Sequence, residues 1–166
     1  MTTTDTVTTD GRHGFDFWQG RWQGRNRKLV DVFDPECRDW IEFDGECDAS
    51  SVLDGLGSID TFVTEMPGRG HFEGLTVRLF DPATDTWKIW WASTLAPGRL
   101  DTPVEGRFVD GTGQFFADEE VAGRTIKVQF EWTVSSPDSA RWRQFFSFDG
   151  GATWVLNWVV EHFRTP

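Results

Sequence analysis

Apolar and polar residues alternate with a period of two along almost the whole chain, broken by turn residues about every eight to twelve positions. A period of two puts successive side chains on opposite faces of a strand and marks an all-β sandwich or barrel. Between Arg124 and Val134 the pattern is cleanest. Ile126, Val128, Phe130, Trp132 and Val134 share one face, and Lys127, Gln129, Glu131 and Thr133 share the other. No segment sustains a helical period, apart from a short helical or 3₁₀ turn expected over Gly14 to Gln19.

The pattern predicts ten strands. The first five run from Arg21 to Val32, Trp40 to Ala49, Ser58 to Glu65, Phe72 to Phe80 and Thr86 to Ser93. The second five run from Val104 to Val109, Gln114 to Glu119, Arg124 to Val134, Arg141 to Phe148 and Thr153 to Phe163. Short connections require an antiparallel meander. So many strands with apolar residues on both faces need closure, because open edges aggregate. The expected fold is therefore an antiparallel, up-and-down closed barrel of about ten strands with a short N-terminal helical turn. It fills a single domain over residues 13–166. Residues 1–12 are rich in Thr and Asp, lack the basic and apolar regions of a secretory signal, and read as a disordered tail.

Fifteen Phe, ten Trp and no Tyr supply much rigid apolar surface for 166 residues. Such rings fill a core or line a pocket for a flat apolar ligand. A net charge of −11 argues against nucleic acid and against an anionic membrane as partners. Arg21, Arg25, Arg27 and Lys28 cluster locally, and the three arginines share one strand face, read as solvent. No apolar run reaches transmembrane length, and a cytoplasmic protein is expected. Cys37 and Cys47 are too few for a disulfide framework and are expected reduced, a bridge between adjacent strand ends being the alternative.

Ser147-Phe148-Asp149-Gly150-Gly151-Ala152-Thr153-Trp154 matches the Asp-box pattern Ser-x-Asp-x-Gly-x-Thr-Trp. In that device a short Asp side chain bonds back to turn amides while Gly permits positive φ. Asp149 and Trp154 are read as structural. A sialidase is excluded, because its nucleophile is a tyrosine. The hairpin sets a register that pairs Phe148 with Thr153, Gln144 with Asn157 and Trp142 with Val159. Gln144, Asn157 and Glu161 then share a face with Trp142, Phe146, Val155, Val159 and Phe163. A few polar groups on an apolar face are what a ligand pocket looks like; a buried hydrogen-bond network or simple exposure at the strand end would give the same pattern. The opposite face carries Arg141, Arg143, Trp154, Trp158, His162 and Arg164, so on this reading His162 lies outside.

No His, Cys or carboxylate cluster has metal-ligand spacing, and no nucleophile elbow or phosphate loop is present. Asp44, Glu46, Asp60, Glu65, Glu131 and Glu161 are strand carboxylates. One pointing inward among tryptophans would suit proton transfer, and Glu161 is the first choice.

Near the start of the chain Gly20-Arg21-Trp22 follows Phe15-Asp16-Phe17-Trp18, and Arg164 ends the last strand. A Gly-x-Trp on the first strand and an Arg on the last resembles the calycin superfamily: lipocalins, fatty-acid-binding proteins and ten-stranded nitrobindin-like barrels. The resemblance implies that Trp22 plugs one barrel end and that Arg164 lies over its indole, a cation–π contact worth about 0.5–2 kcal/mol. Nitrobindin-like barrels bind haem through one histidine. Their Gly-x-Trp-x-Gly-x-Gly pattern departs here, where Asn26 follows Arg25. The chain also looks like a member of a bacterial family of unassigned activity that opens with Phe-Asp-Phe-Trp-x-Gly-x-Trp.

The expected function is binding of a small apolar molecule, aromatic or polyketide-like, inside the barrel. Trp142, Gln144, Phe146, Asn157 and Glu161 would contact it, with no cofactor. One alternative is an enzyme of secondary metabolism, a cyclase, isomerase or dehydratase, with Glu161 as acid or base. The other is haem binding of nitrobindin type. Closure permits a monomer, and exposed tryptophans would equally suit a homodimer.

Overall fold

The computed structural model of the protein describes residues 10–166. Ten antiparallel strands form a closed barrel, each pairing with its neighbours in sequence, and β1 closes on β10. The strands are β1 (Gly20–Leu29), β2 (Trp40–Val52), β3 (Gly57–Met66), β4 (Gly70–Asp81) and β5 (Thr86–Ser93). They continue as β6 (Val104–Val109), β7 (Thr112–Val121), β8 (Arg124–Ser136), β9 (Ser139–Ser147) and β10 (Val155–Arg164). This is the up-and-down closed barrel that the alternation predicts. No helix among the described residues is long and apolar enough to cross a membrane.

Strand ends shift where side chains capture the backbone. β1 stops at Leu29 rather than Val32, because Asp31 and Asp34 bond the amides of Phe33 and Glu36 and fold the segment into turns. β10 starts at Val155 rather than Thr153, because the Asp box holds Thr153. Asp149 accepts from the Thr153 amide at 2.8 Å and from its hydroxyl at 2.6 Å, and Ser147 bonds Asp149 and the Gly151 amide, each at 2.8 Å. The bonds from Thr153 and Ser147 hold the Asp149 carboxyl down at about 2. Trp154 leaves the loop outward and packs on Phe116.

One end of the barrel is plugged. The 3₁₀ turn Asp16–Trp18 lies within the segment where a helical turn is expected, and it buries Phe15 and Trp18. Phe15 meets Trp87 and Phe108 edge-on. Trp18 stacks on Trp22 with ring centres 5.0 Å apart, and Trp22 donates to the Trp18 carbonyl at 2.8 Å. The Arg164 guanidinium sits 4.3 Å from the Trp22 ring and donates to the carbonyls of Gln19 and Phe17 at 2.5 and 2.6 Å. Gly20 turns at φ +102°, and a Cβ there would come within 3.1 Å of Arg164 Nη1. One arginine thus ties the last strand to the plug and to the first strand.

Among the described residues, Asp10 caps the turn that follows, its side chain accepting from the Arg12 amide. Gly11–His13 forms a further 3₁₀ turn, whose Gly11 amide bonds Asp85 and whose Gly11 carbonyl accepts from Trp87. The rest of the expected tail, residues 1–9, lies outside the described residues.

The other end is open. Its wall is weakest between β5 and β6, which share only the pairs Trp87–Gly106, Lys88–Glu105 and Ile89–Val104. Beyond these pairs the segment 94–103 spans the gap. The Asp101 amide bonds the Trp91 carbonyl at 2.8 Å, and the Thr102 amide bonds Glu119 at 3.1 Å.

Candidate functional site

A cavity of about 650 Å³ opens from the unplugged end and runs down the barrel axis to the plug. Its middle is walled by Phe62, Phe72, Trp91, Phe130, Trp142 and Trp158. Two glycines make room for these rings. A Cβ on Gly45 would stand 2.2 Å from the Phe62 ring, and one on Gly74 only 2.0 Å from Trp91. Both face inward, Gly45 between Phe43 and Cys47 and Gly74 between Phe72 and Thr76, so the rings lie over bare backbone and leave the axis open.

The face assignment of the last strand is corrected by one residue. The expected register holds at Phe146–Val155 and Phe145–Leu156, and then a bulge at Asn157 moves it, so that Gln144 faces Trp158 and Trp142 faces Val160. A bulge places two residues opposite one and reverses the parity of everything beyond it. Trp158, Val160 and His162 therefore turn inward, while Val159, Glu161 and Phe163 turn outward.

The consequences for the expected pocket residues differ. Trp142, Gln144 and Phe146 lie before the bulge and line the cavity. Asn157 is fully buried one step behind, where its Oδ1 accepts from Gln144 Nε2 at 2.9 Å. Glu161 lies outside. It pairs with Arg141 at 2.6 Å on a solvated surface, so it is not the interior carboxylate expected of an acid or base. Arg21, Arg25 and Arg27 face solvent, as read from their spacing.

The interior carboxylate is Asp60. It is 3% exposed at the cavity floor and pairs there with Arg78, also 3% exposed. Asp60 Oδ2 accepts from Arg78 Nη1 and, at 2.8 Å, from Trp18 Nε1. The Arg78 guanidinium also stands 4.8 Å from the Phe15 ring, with Trp18 and Trp132 just under 6 Å away. The alternation contained this signal. Asp60 shares a face with the apolar Phe62 and Met66, and Arg78 with Phe72 and Phe80. Opposite charges on the apolar faces of adjacent strands mark an interior ion pair.

His162 lies beside this pair, inside the barrel rather than outside. Its ring stacks on Trp132 and meets Trp18 edge-on. Burial, with the nearby Arg78 charge, pushes its pKa down to about 3, so the imidazole is neutral. Cys47 lines the same floor, where burial and then Asp60 raise its thiol well above the usual range. Cys37 and Cys47 are both free thiols, Cys37 lying in the β1–β2 loop. Among the described residues no group of three or more His, Cys, Asp or Glu is placed to hold a metal ion.

The mouth is charged. Lys28 and Arg69 line it, and neither makes a salt bridge among the described residues. Burial and then the Arg69 charge lower the Lys28 pKa. Across the mouth, Arg99 pairs with Asp101 and Glu119 at 3.7 and 3.6 Å.

Plug, tie and axial cavity together define a calycin-like β-barrel. A solved structure of an S-type phycobiliprotein lyase, CPES, from Guillardia theta has a similar fold, with a TM-score of 0.63 over 96% of this chain and 94% of that one. Sequence identity between the two is 10%, so the likeness is one of fold. No protein-family model and no curated protein sequence matches the chain.

Proposed function

We propose that the barrel binds one small, flat, largely apolar molecule in its interior. The observation that carries this reading is the open axial cavity of about 650 Å³, walled by aromatic rings and ending in a few polar side chains. Its size and lining are those of small-molecule sites. In this reading Trp142 and Phe146 supply stacking area. Gln144, steadied by Asn157, supplies a hydrogen bond. The similar fold belongs to a phycobiliprotein lyase, which makes an open-chain tetrapyrrole the first conjugated ligand to try.

The test is a titration of the protein with biliverdin and with a neutral polycyclic aromatic, read by quenching of tryptophan fluorescence. Saturable one-to-one quenching by either, with induced circular dichroism in the ligand band, supports the reading. Absence of saturable binding by both refutes it.

A second reading, haem binding, gains support from His162, a neutral imidazole lining the cavity. The donor set is thin: a single imidazole beside an ion pair. His162 would be the residue to hold the iron, and bound haem would supply redox or gas-binding chemistry. A Soret shift on adding haemin, lost in His162→Ala, supports it; an unchanged haemin spectrum ends it. The enzyme alternative now rests on Asp60, the interior carboxylate, and no longer on Glu161.

A further inference from the structure

The cavity floor has a chemistry of its own, and the inference from it rests on the binding reading above. Asp60 uses one oxygen, Oδ2, for both of its protein hydrogen bonds. Its Oδ1 and the Nη2 of Arg78 have no protein partner among the described residues. Neither is among the occluded, unpaired polar atoms, which include Arg78 Nε and His162 Nδ1. Both residues line the cavity. The floor therefore presents an acceptor and a donor that no described residue uses, on a pair whose charges cancel.

A buried ion pair is a poor stabiliser, since desolvation consumes most of its attraction, and apolar residues of similar volume often serve as well. Unmet donors and acceptors at the floor add to that cost. The arrangement makes sense if a ligand completes it. An arginine alone would call for a carboxylate. Here Asp60 already neutralises it, and an incoming carboxylate would meet the Asp60 charge across a low-dielectric floor.

We infer that the floor selects a neutral hydrogen-bonding edge, a carbonyl beside an N–H or O–H as in an amide, lactam or hydroxy-ketone, and rejects a free carboxylate. The ligand carbonyl accepts from Arg78 Nη2 while its N–H or O–H donates to Asp60 Oδ1. The flat body of the ligand then extends between Trp91, Trp142 and Trp158 toward the mouth.

Three naphthalene probes that differ only in the polar edge test this: 2-naphthamide, methyl 2-naphthoate and 2-naphthoate, each titrated by tryptophan quenching. The amide should bind at least tenfold tighter than the carboxylate. It should bind about three- to tenfold tighter than the ester, which can only accept, because one hydrogen bond is lost. In Asp60→Asn the arginine loses its counter-charge, and the carboxylate should gain at least tenfold relative to the amide. The wild-type series stands alone if that variant does not fold. A carboxylate that binds wild type as tightly as the amide overturns the inference, as does an ester equal to the amide, and either result leaves cavity binding intact. Saturable binding by none of the three overturns the binding reading itself, and this one with it.

Discussion

Acid should unfold this barrel through His162. The ring is 5% exposed, between two tryptophans and beside a guanidinium, and its folded pKa lies at about 3 against 6.5 for a free histidine. Above pH 6.5 the ring is neutral in both states and stability does not depend on it. As the pH falls through 6.5 the unfolded chain takes up a proton that the folded chain refuses, so stability drops with falling pH. The slope from this one residue approaches about 1.4 kcal/mol per pH unit, so it removes about 2 kcal/mol by pH 5. The loss continues until the folded state itself protonates near the folded value. The measurement is urea unfolding of wild type and His162→Gln at intervals from pH 8 to pH 4. Subtracting the two curves cancels the other titrating groups. The difference should be flat above pH 7 and then shift toward the variant by about 2 kcal/mol at pH 5. A difference curve that stays flat to pH 4 would place His162 in solvent and refute the inward turn of β10.

Three other predictions follow from named contacts. Arg78→Leu leaves Asp60 charged and unpaired at the floor and should cost about 3–5 kcal/mol in urea unfolding, whereas Asp60→Leu with Arg78→Leu should cost clearly less than the sum of the single changes; simple additivity would contradict the ion pair. Arg164→Ala removes the cation–π contact and two charged hydrogen bonds at the plug and should lower stability by about 2–4 kcal/mol, while a double-mutant cycle with Trp22→Leu should show coupling of about 1 kcal/mol and not zero. Gly74→Ala pushes Trp91 off the bare backbone into the cavity; it should cost about 1–3 kcal/mol and weaken binding of a polycyclic probe at least tenfold, and an unchanged affinity would show that Trp91 does not shape the pocket.

The alternation carried the architecture. Ten strands with short connections leave closure as the way to satisfy their edges, and Gly20, Trp22 and Arg164 marked where the barrel closes. The same alternation failed at one residue. Asn157 looks like any polar position in a strand, and nothing local shows that it occupies a bulge. That bulge exchanges Glu161 for His162 on the inner face, because side-chain direction has a period of two and no tolerance for an inserted residue. The floor was legible but not singled out. Asp60 has the same appearance in sequence as Asp44 or Glu65, and only its parity with Phe62 and Met66, set against Arg78 on the next strand, separates it from them. Gly45 and Gly74 were not legible, since the rings they accommodate come from neighbouring strands.

The central claim, that the aromatic-walled cavity holds a ligand, is tested most directly by native mass spectrometry. The protein would be purified from its own source beside Val128→Trp, which fills the cavity with an indole. The wild type should carry one discrete extra mass that disappears on denaturation, and the filled variant should carry none. An adduct of equal occupancy in both, or a bare chain mass for the wild type even after incubation with biliverdin and a neutral polycyclic aromatic, would contradict the account.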